Sequence, residues 1–240
     1  MTKGGCSGER RTAAAPKGGI DMIRRGKLKI YFGYSSGVGK TYTMLKDAHQ
    51  ELRRGVDIVV GYINPNSGSE TLELMEGLEI LPFKLIASSR GMLEEFNLEG
   101  ALLRMPRVIL VDDMAHANAE GTKYEKRFQD IEELLSFGID VYTTVNAQQI
   151  ESLNQKVTET LKVPYGEKIP DFIFDCAERV ELIDPDPDEL LRRYHEGKIT
   201  ILEKPESKAR IAFKKKNLDM LRELSIKRTK ERIDQVCNWS

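Results

Sequence analysis

A run of small residues ends in a cation and a hydroxyl: Gly33-Tyr34-Ser35-Ser36-Gly37-Val38-Gly39-Lys40-Thr41. Glycines at 37 and 39 let the backbone curl so that several N–H groups point at one spot. A helix starting beside Gly39 aims its positive end at the same spot. Lys40 then acts as a point charge on the outer phosphates of a ligand, and Thr41 offers a hydroxyl to Mg²⁺. That is the chemistry of a phosphate-binding loop. The usual spacing has a small residue at position 34, whereas this chain has Tyr34, with Gly33 one residue early. The Gly39-Lys40-Thr41 ending is intact.

Such a loop needs an acidic partner from a neighbouring strand, and Val108-Ile109-Leu110-Val111-Asp112-Asp113 supplies one. Aspartates at the carboxyl end of a buried strand stand where open parallel sheets bind ligands. Asp112 is the expected Mg²⁺ partner, through a water, and Asp113 the catalytic candidate that would orient or deprotonate an attacking water. Thr143-Thr144-Val145-Asn146 closes the next strand; in a parallel sheet Thr144 and Asn146 emerge at the same edge and could sense a γ-phosphate. An ordinary polar strand-to-helix connection explains them equally well. The candidate nucleotide-binding residues are thus Gly33, Ser35, Ser36, Gly37, Val38, Gly39, Lys40, Thr41, Tyr42, Asp112, Thr144 and Asn146, with Thr41 and Asp112 also expected to hold the metal. His116, three residues past the aspartates, could sit near the site, but a loop histidine without function is the preferred reading. His49 and His195 are far from it in sequence, and no metal cluster is visible.

The elements that must position these residues alternate. Strand character at residues 28–33, 57–63, 83–86, 108–111, 140–145 and 179–183 alternates with helical spacing at 39–54, 70–76, 93–104, 124–137 and 148–161. Gly55 and Gly138 are natural helix stops. Four unbroken apolar residues at 108–111 fit a parallel strand covered on both faces. The pattern predicts an α/β, three-layer fold of the phosphate-loop NTPase type with a mainly parallel sheet. Asp186, Pro187 and Glu189 form a helix start. The predicted divisions are a flexible leader (1–25), the phosphate-loop domain (26–203) and a basic helical extension (204–240). Within residues 204–232 there are eleven Lys or Arg against four Asp or Glu. Leu218, Leu221, Leu224 and Ile226 recur there at helical spacing, as expected of an amphipathic helix docked on the body; an anionic surface is the alternative partner.

Over the whole 240 residues, 37 basic side chains face 38 acidic ones, so a globally basic nucleic-acid binder is excluded and no specific nucleic-acid partner is expected. With 40% hydrophobic residues the chain can build a substantial core, and no apolar run approaches the ~20 residues a membrane helix needs. Cys6, Cys176 and Cys237 are odd in number and far apart, which fits a reducing cytoplasm; Cys176 reads as a small core residue.

The strings LKIYFGYSSGVGKTYTML, DIVVGYI, EGLEILP, VILVDDMAHANAEG, KRFQDIEELLSFGIDVYTTVNAQQIESLN and VELIDPDPDELLRRYHEGKI resemble the N-terminal cytoplasmic domain of the KdpD family, bacterial potassium- and turgor-responsive sensor histidine kinases. The resemblance runs from about residue 25 to 232. It implies an ATP- and Mg²⁺-binding regulatory module. Its partners would be the other domains of such a kinase and, through them, a response regulator. It implies a cytoplasmic location, as the cytoplasmic part of an inner-membrane protein. No histidine-kinase core is recognisable, so a fragment or a short relative is expected, without autophosphorylation; a slow Mg²⁺-dependent ATPase is the alternative. The family carries glutamate where this chain has Asp113, histidine at Gln149 and alanine at Tyr34. A Glu-Thr-His-Gly-Arg-like segment is replaced by Asn64-Pro65-Asn66-Ser67-Gly68.

Overall fold

The computed structural model describes residues 24–88, 91–199, 211 and 213–237. The predicted leader lies outside the described residues up to position 23, and so does most of the chain between residues 200 and 212.

In chain order the strands are β1 (Leu28–Gly33), β2 (Ile58–Tyr62), β3 (Glu79–Ile80), β4 (Lys84–Ser88), β5 (Gly91–Glu95), β6 (Val108–Val111), β7 (Asp140–Asn146) and β8 (Arg179–Ile183). The helices are α1 (Lys40–Arg53), α2 (Ser69–Glu73), α3 (Leu98–Arg104), α4 (Arg127–Ser136), α5 (Glu151–Leu161), α6 (Asp171–Asp175), α7 (Pro187–His195) and α8 (Lys215–Cys237). Six strands form one all-parallel sheet in the order β3-β2-β6-β7-β1-β8, and β4 and β5 form a separate antiparallel hairpin. Side chains alternate across the sheet. Ile30 and Phe32 of β1 join Leu98, Ala101, Ile131, Leu134 and Phe174 on one face, whereas Tyr31 joins Met44, Leu45 and Ala48 of α1 on the other. This is the predicted α/β layering. β1, β2 and β6 are buried at every position; β6 is apolar throughout, and the one charge in β1, Lys29, is paired with Asp47 and Glu181.

A further apolar cluster lies at the carboxyl edge. Tyr34 and Val38, from the connection after β1, pack with Leu190 of α7, Ile199, Phe213, and Leu218 and Leu221 of α8. The buried positions of α8 are Leu218, Leu221, Ser225, Arg228 and Arg232, a stripe of helical period that turns from apolar to cationic along the helix. Its arginines find partners on the body. Arg228 reaches Asp175 at 2.6 Å, Arg222 grips Asp184 at 2.7 and 2.9 Å, and Arg232 donates to the carbonyls of Phe174 and Ala177. Docking on the body therefore consumes these cations, while Lys214, Lys216, Lys227 and Lys230 stay exposed.

Two expectations are corrected. Residues 93–104 are not one helix: Leu93, Glu94 and Glu95 pair with Ile86, Leu85 and Lys84, and the helix starts only after Asn97, whose side-chain oxygen accepts from the Gly100 amide at 2.9 Å. Pairing overrode the helix-compatible residue types, and the capping asparagine marked the true start. Cys176 is exposed rather than core. It is the residue that ends α6, and Ile173, Phe174 and Ala177 take the buried positions around it.

Candidate functional site

β1 hands over to α1 through residues 34–39. Gly37 (φ 80°) and Gly39 (φ 99°) adopt left-handed backbone that other residues resist. A Cβ on Gly37 would also stand 2.5 Å from the side chain of Ile199. α1 has no side-chain cap and no acidic residue in its first turn. The positive end of the helix thus carries no side-chain cap, and an anion is favoured beside it.

This turn forms one wall of a cleft of about 490 Å³ at the carboxyl edge of the sheet. That lies within the roughly 300–1,000 Å³ span of small-molecule sites. Ser36, Gly37, Val38, Gly39, Lys40, Thr41 and Tyr42 line it, together with Asp112, Asp113, Thr144 and Asn146. β7 stands between β1 and β6, so the residues at its end bridge the loop and the aspartates. Lys40 Nζ donates to the Ser35 carbonyl at 3.0 Å and to Asn146 Oδ1 at 2.5 Å. Thr144 Oγ1 donates to Asp112 Oδ1 at 2.5 Å, and Thr41 Oγ1 lies 3.2 Å from both oxygens of the same carboxylate. Burial pushes the Asp112 carboxyl up; the hydrogen bond from Thr144 opposes this, the charge of Asp113 adds to it, and Lys40 and Thr41 oppose it. A buried carboxylate raised in this way gains most from a nearby cation, and a hydroxyl beside it completes a hard, all-oxygen donor set that suits Mg²⁺.

Asp113 follows in left-handed backbone (φ 56°) and lines the cleft. Gln149 Nε2 donates to its Oδ1 at 2.9 Å, while Gln149 Oε1 accepts from the Asn146 amide at 2.7 Å. One glutamine thus fixes Asp113 against the end of β7.

Of the candidate residues, Gly33 and Ser35 stand behind the wall rather than on it. A Cβ at Gly33 would lie 2.5 Å from Val38 Cγ2, so glycine there allows the loop to fold onto its own strand. Ser35 is buried, and its carbonyl anchors Lys40. Tyr34 is fully buried, and its hydroxyl donates to the Pro185 carbonyl at 3.0 Å. The departure from a small residue therefore joins the loop to the segment ahead of α7.

Two stretches of the wall were not among the candidates. Asn64, Asn66, Ser67, Gly68, Glu70 and Thr71 form one side, so the segment that departs from the resemblance faces the cleft. Arg193, Lys198 and Ile199 form another and meet the first, with Arg193 4.0 Å from Glu70 and the Lys198 carbonyl beside Gly68. Some 150 residues separate these cations from Lys40, and nothing in their local sequence signals a shared site. His116 is not an isolated loop residue: its Nε2 lies 3.3 Å from Glu95 and its Nδ1 3.7 Å from Glu167.

Comparison with known proteins agrees with the strings noted above. The family model described as "Osmosensitive K+ channel His kinase sensor domain" (KdpD) matches residues 24–233. The chain is 50% identical over 210 residues to the sensor protein KdpD of Clostridium acetobutylicum and 46% over 211 to that of Escherichia coli, covering 88% of this chain in each case. It is 39% identical over 212 residues to a putative sensor protein KdpD of Synechocystis. The chain spans about a quarter of the length of the first two relatives (23% and 24%) and 57% of the third. Among the described residues no helix is long and apolar enough to cross a membrane.

Proposed function

This chain belongs to the KdpD sensor-domain family, and from that premise we propose that it is a MgATP-binding regulatory module of a potassium- and turgor-responsive two-component sensor kinase. The observation that carries the reading is the convergence of Lys40, Thr41 and Asp112, brought from the start of α1 and the end of β6 to one cleft at the carboxyl edge. Lys40, braced by Ser35 and Asn146, meets the outer phosphates. The amides of residues 37–41 enclose the phosphate chain. Thr41 and Asp112 would hold Mg²⁺, which supplies neutralisation of charge across the β- and γ-phosphates. Arg193 and Lys198 add cations from the facing wall.

The same loop packs through Tyr34 and Val38 against α7, α8 and Ile199. Nucleotide that favours one arrangement of the loop therefore favours one seating of the C-terminal helices, to the extent of its differential affinity for the two. The partners of this switch are the remaining domains of a KdpD-like kinase and, through them, its response regulator. Such a module would lie on the cytoplasmic side of the membrane.

Calorimetric titration of ATP with and without Mg²⁺ tests the reading. Wild type should bind at one site, and Lys40→Ala should bind at least about 100-fold more weakly, a loss of roughly 2.7 kcal/mol. No binding by wild type, or equal binding by the variant, contradicts it. A slow Mg²⁺-dependent ATPase is the second reading, favoured by Asp113 facing the cleft under the hold of Gln149. It predicts phosphate release that disappears in Asp113→Asn while nucleotide binding persists; no release above background removes it.

A further inference from the structure

Beside the cleft, Asp113, His116 and Glu167 bring one ligand atom each within 4.8 Å of one another. Three separate features assemble them. The left-handed backbone at Asp113 turns the chain, and the His116 amide closes on the Asp113 carbonyl at 3.1 Å, which brings these two residues together. Glu167 arrives from the segment after α5 and accepts from the Ala117 amide at 3.3 Å. Gln149 occupies one oxygen of Asp113 and leaves the other available.

The surroundings of His116 go beyond a chance meeting of charges. Its Nε2 faces Glu95, which is only 5% exposed. Glu95 is itself fixed by the Ala119 amide at 2.9 Å and by fully buried Arg127 at 3.1 Å, and Arg127 in turn donates to the Asp112 carbonyl at 3.2 Å. A metal-bound imidazole characteristically directs its other nitrogen to such a carboxylate, which fixes the ring and its tautomer. The remaining nitrogen, Nδ1, stands 3.7 Å from Glu167 Oε1. In a tetrahedral site with bonds of ~2.0–2.1 Å, neighbouring ligand atoms lie roughly 3.3 Å apart, so this edge needs only a small contraction.

We propose that Asp113, His116 and Glu167 form a binding site for a divalent first-row transition metal, with Glu95 orienting the imidazole. Two carboxylates and one imidazole favour Zn²⁺, Mn²⁺ or Co²⁺ over Mg²⁺ or Ca²⁺, which prefer oxygen alone. The site is distinct from the oxygen pair of Thr41 and Asp112 and does not depend on nucleotide. It joins the hairpin, β6 and the segment after α5 at one point, so a bound metal would stiffen the rim that carries Asp113.

The test uses the whole chain stripped by chelator, titrated with Zn²⁺ by calorimetry and with Co²⁺ by visible absorption. Wild type and Lys40→Ala should each bind one equivalent without a thiolate charge-transfer band, which sets the site apart from both the cysteines and the phosphate loop. His116→Gln and Glu167→Gln should each bind more than about 100-fold more weakly. Glu167 has a side chain 45% exposed, so its variant should fold whatever the fate of the histidine variant. Absence of binding by wild type, or wild-type affinity in Glu167→Gln, overturns the proposal.

Discussion

At the amino edge of the sheet, Lys29 Nζ sits 2.5 Å from Asp47 and 3.0 Å from Glu181, inside a cleft of about 380 Å³. At the carboxyl edge, Lys40 Nζ sits 2.5 Å from the amide oxygen of Asn146 and 3.0 Å from a backbone carbonyl, inside one of about 490 Å³. Both clefts are lined with charges, and each holds a carboxylate and a lysine. Their carboxylates behave in opposite ways. Burial pushes Asp47 up, but hydrogen bonds from Lys29 and Tyr31 and the lysine charge more than offset it, and the group lies below the usual carboxylate range. Burial pushes Asp112 up, and its neighbours do not offset it. The amino edge has satisfied its charges internally, at the negative end of α1. The carboxyl edge presents backbone amides, the positive end of the same helix and a carboxylate better stabilised by an added cation. Charge density is common to both edges; a buried carboxyl pushed up beside a helix N-terminus is particular to the carboxyl edge.

The largest expected effect separates the two lysines. Lys40→Ala should weaken MgATP binding at least about 100-fold with little change in melting temperature, whereas Lys29→Ala should leave affinity unchanged and cost about 2 kcal/mol of stability by removing the ammonium that bridges Asp47 and Glu181. Thermal melts and titrations of both variants read the crossover, and a shared loss of affinity would break the contrast.

Asp130 sharpens it from a third position, a buried carboxylate outside both clefts. Burial pushes it up to about 6, with Asn118 and Arg127 partly opposing. Because the folded chain keeps that proton where the unfolded chain releases it, this group lowers stability as pH rises from about 4 to about 6. Asp130→Asn should flatten that slope and gain about 2 kcal/mol above pH 6 in denaturant titrations. A wild-type slope in the variant would assign the pH dependence elsewhere.

Arg193→Ala should weaken MgATP roughly tenfold, about 1.4 kcal/mol, since a partly exposed cation across a cleft contributes less than one on the loop. Unchanged affinity would remove the facing wall from the site. The smallest change is expected of Tyr34→Phe, which loses only the hydrogen bond to Pro185: about 1 kcal/mol of stability and no affinity.

Sequence carried the parts of this site that are local. The turn after β1 shows its glycines and lysine in one string, and four apolar residues ahead of Asp112 announce a buried strand. Thr144 and Asn146 were also within reach, because the carboxyl ends of parallel strands share an edge whatever their order. Arg193, Lys198 and Ile199 were not, because their nearness to the loop depends on how α7 and α8 seat on Tyr34 and Val38. The same holds for Glu95 and Glu167, which come from separate segments; His116 is local to Asp113, but its partners Glu95 and Glu167 are not. Reading residues 93–104 as one helix hid Glu95 further, since its position depends on pairing with Lys84 in the hairpin.

Amide hydrogen exchange on the whole chain, with and without MgATP, tests the central contrast most directly. Protection should rise at residues 35–41, the backbone of the carboxyl-edge cleft, and stay unchanged at residues 27–29 and 179–181 beneath the amino-edge cleft. Protection that rises at the amino edge, or at neither, would contradict the account.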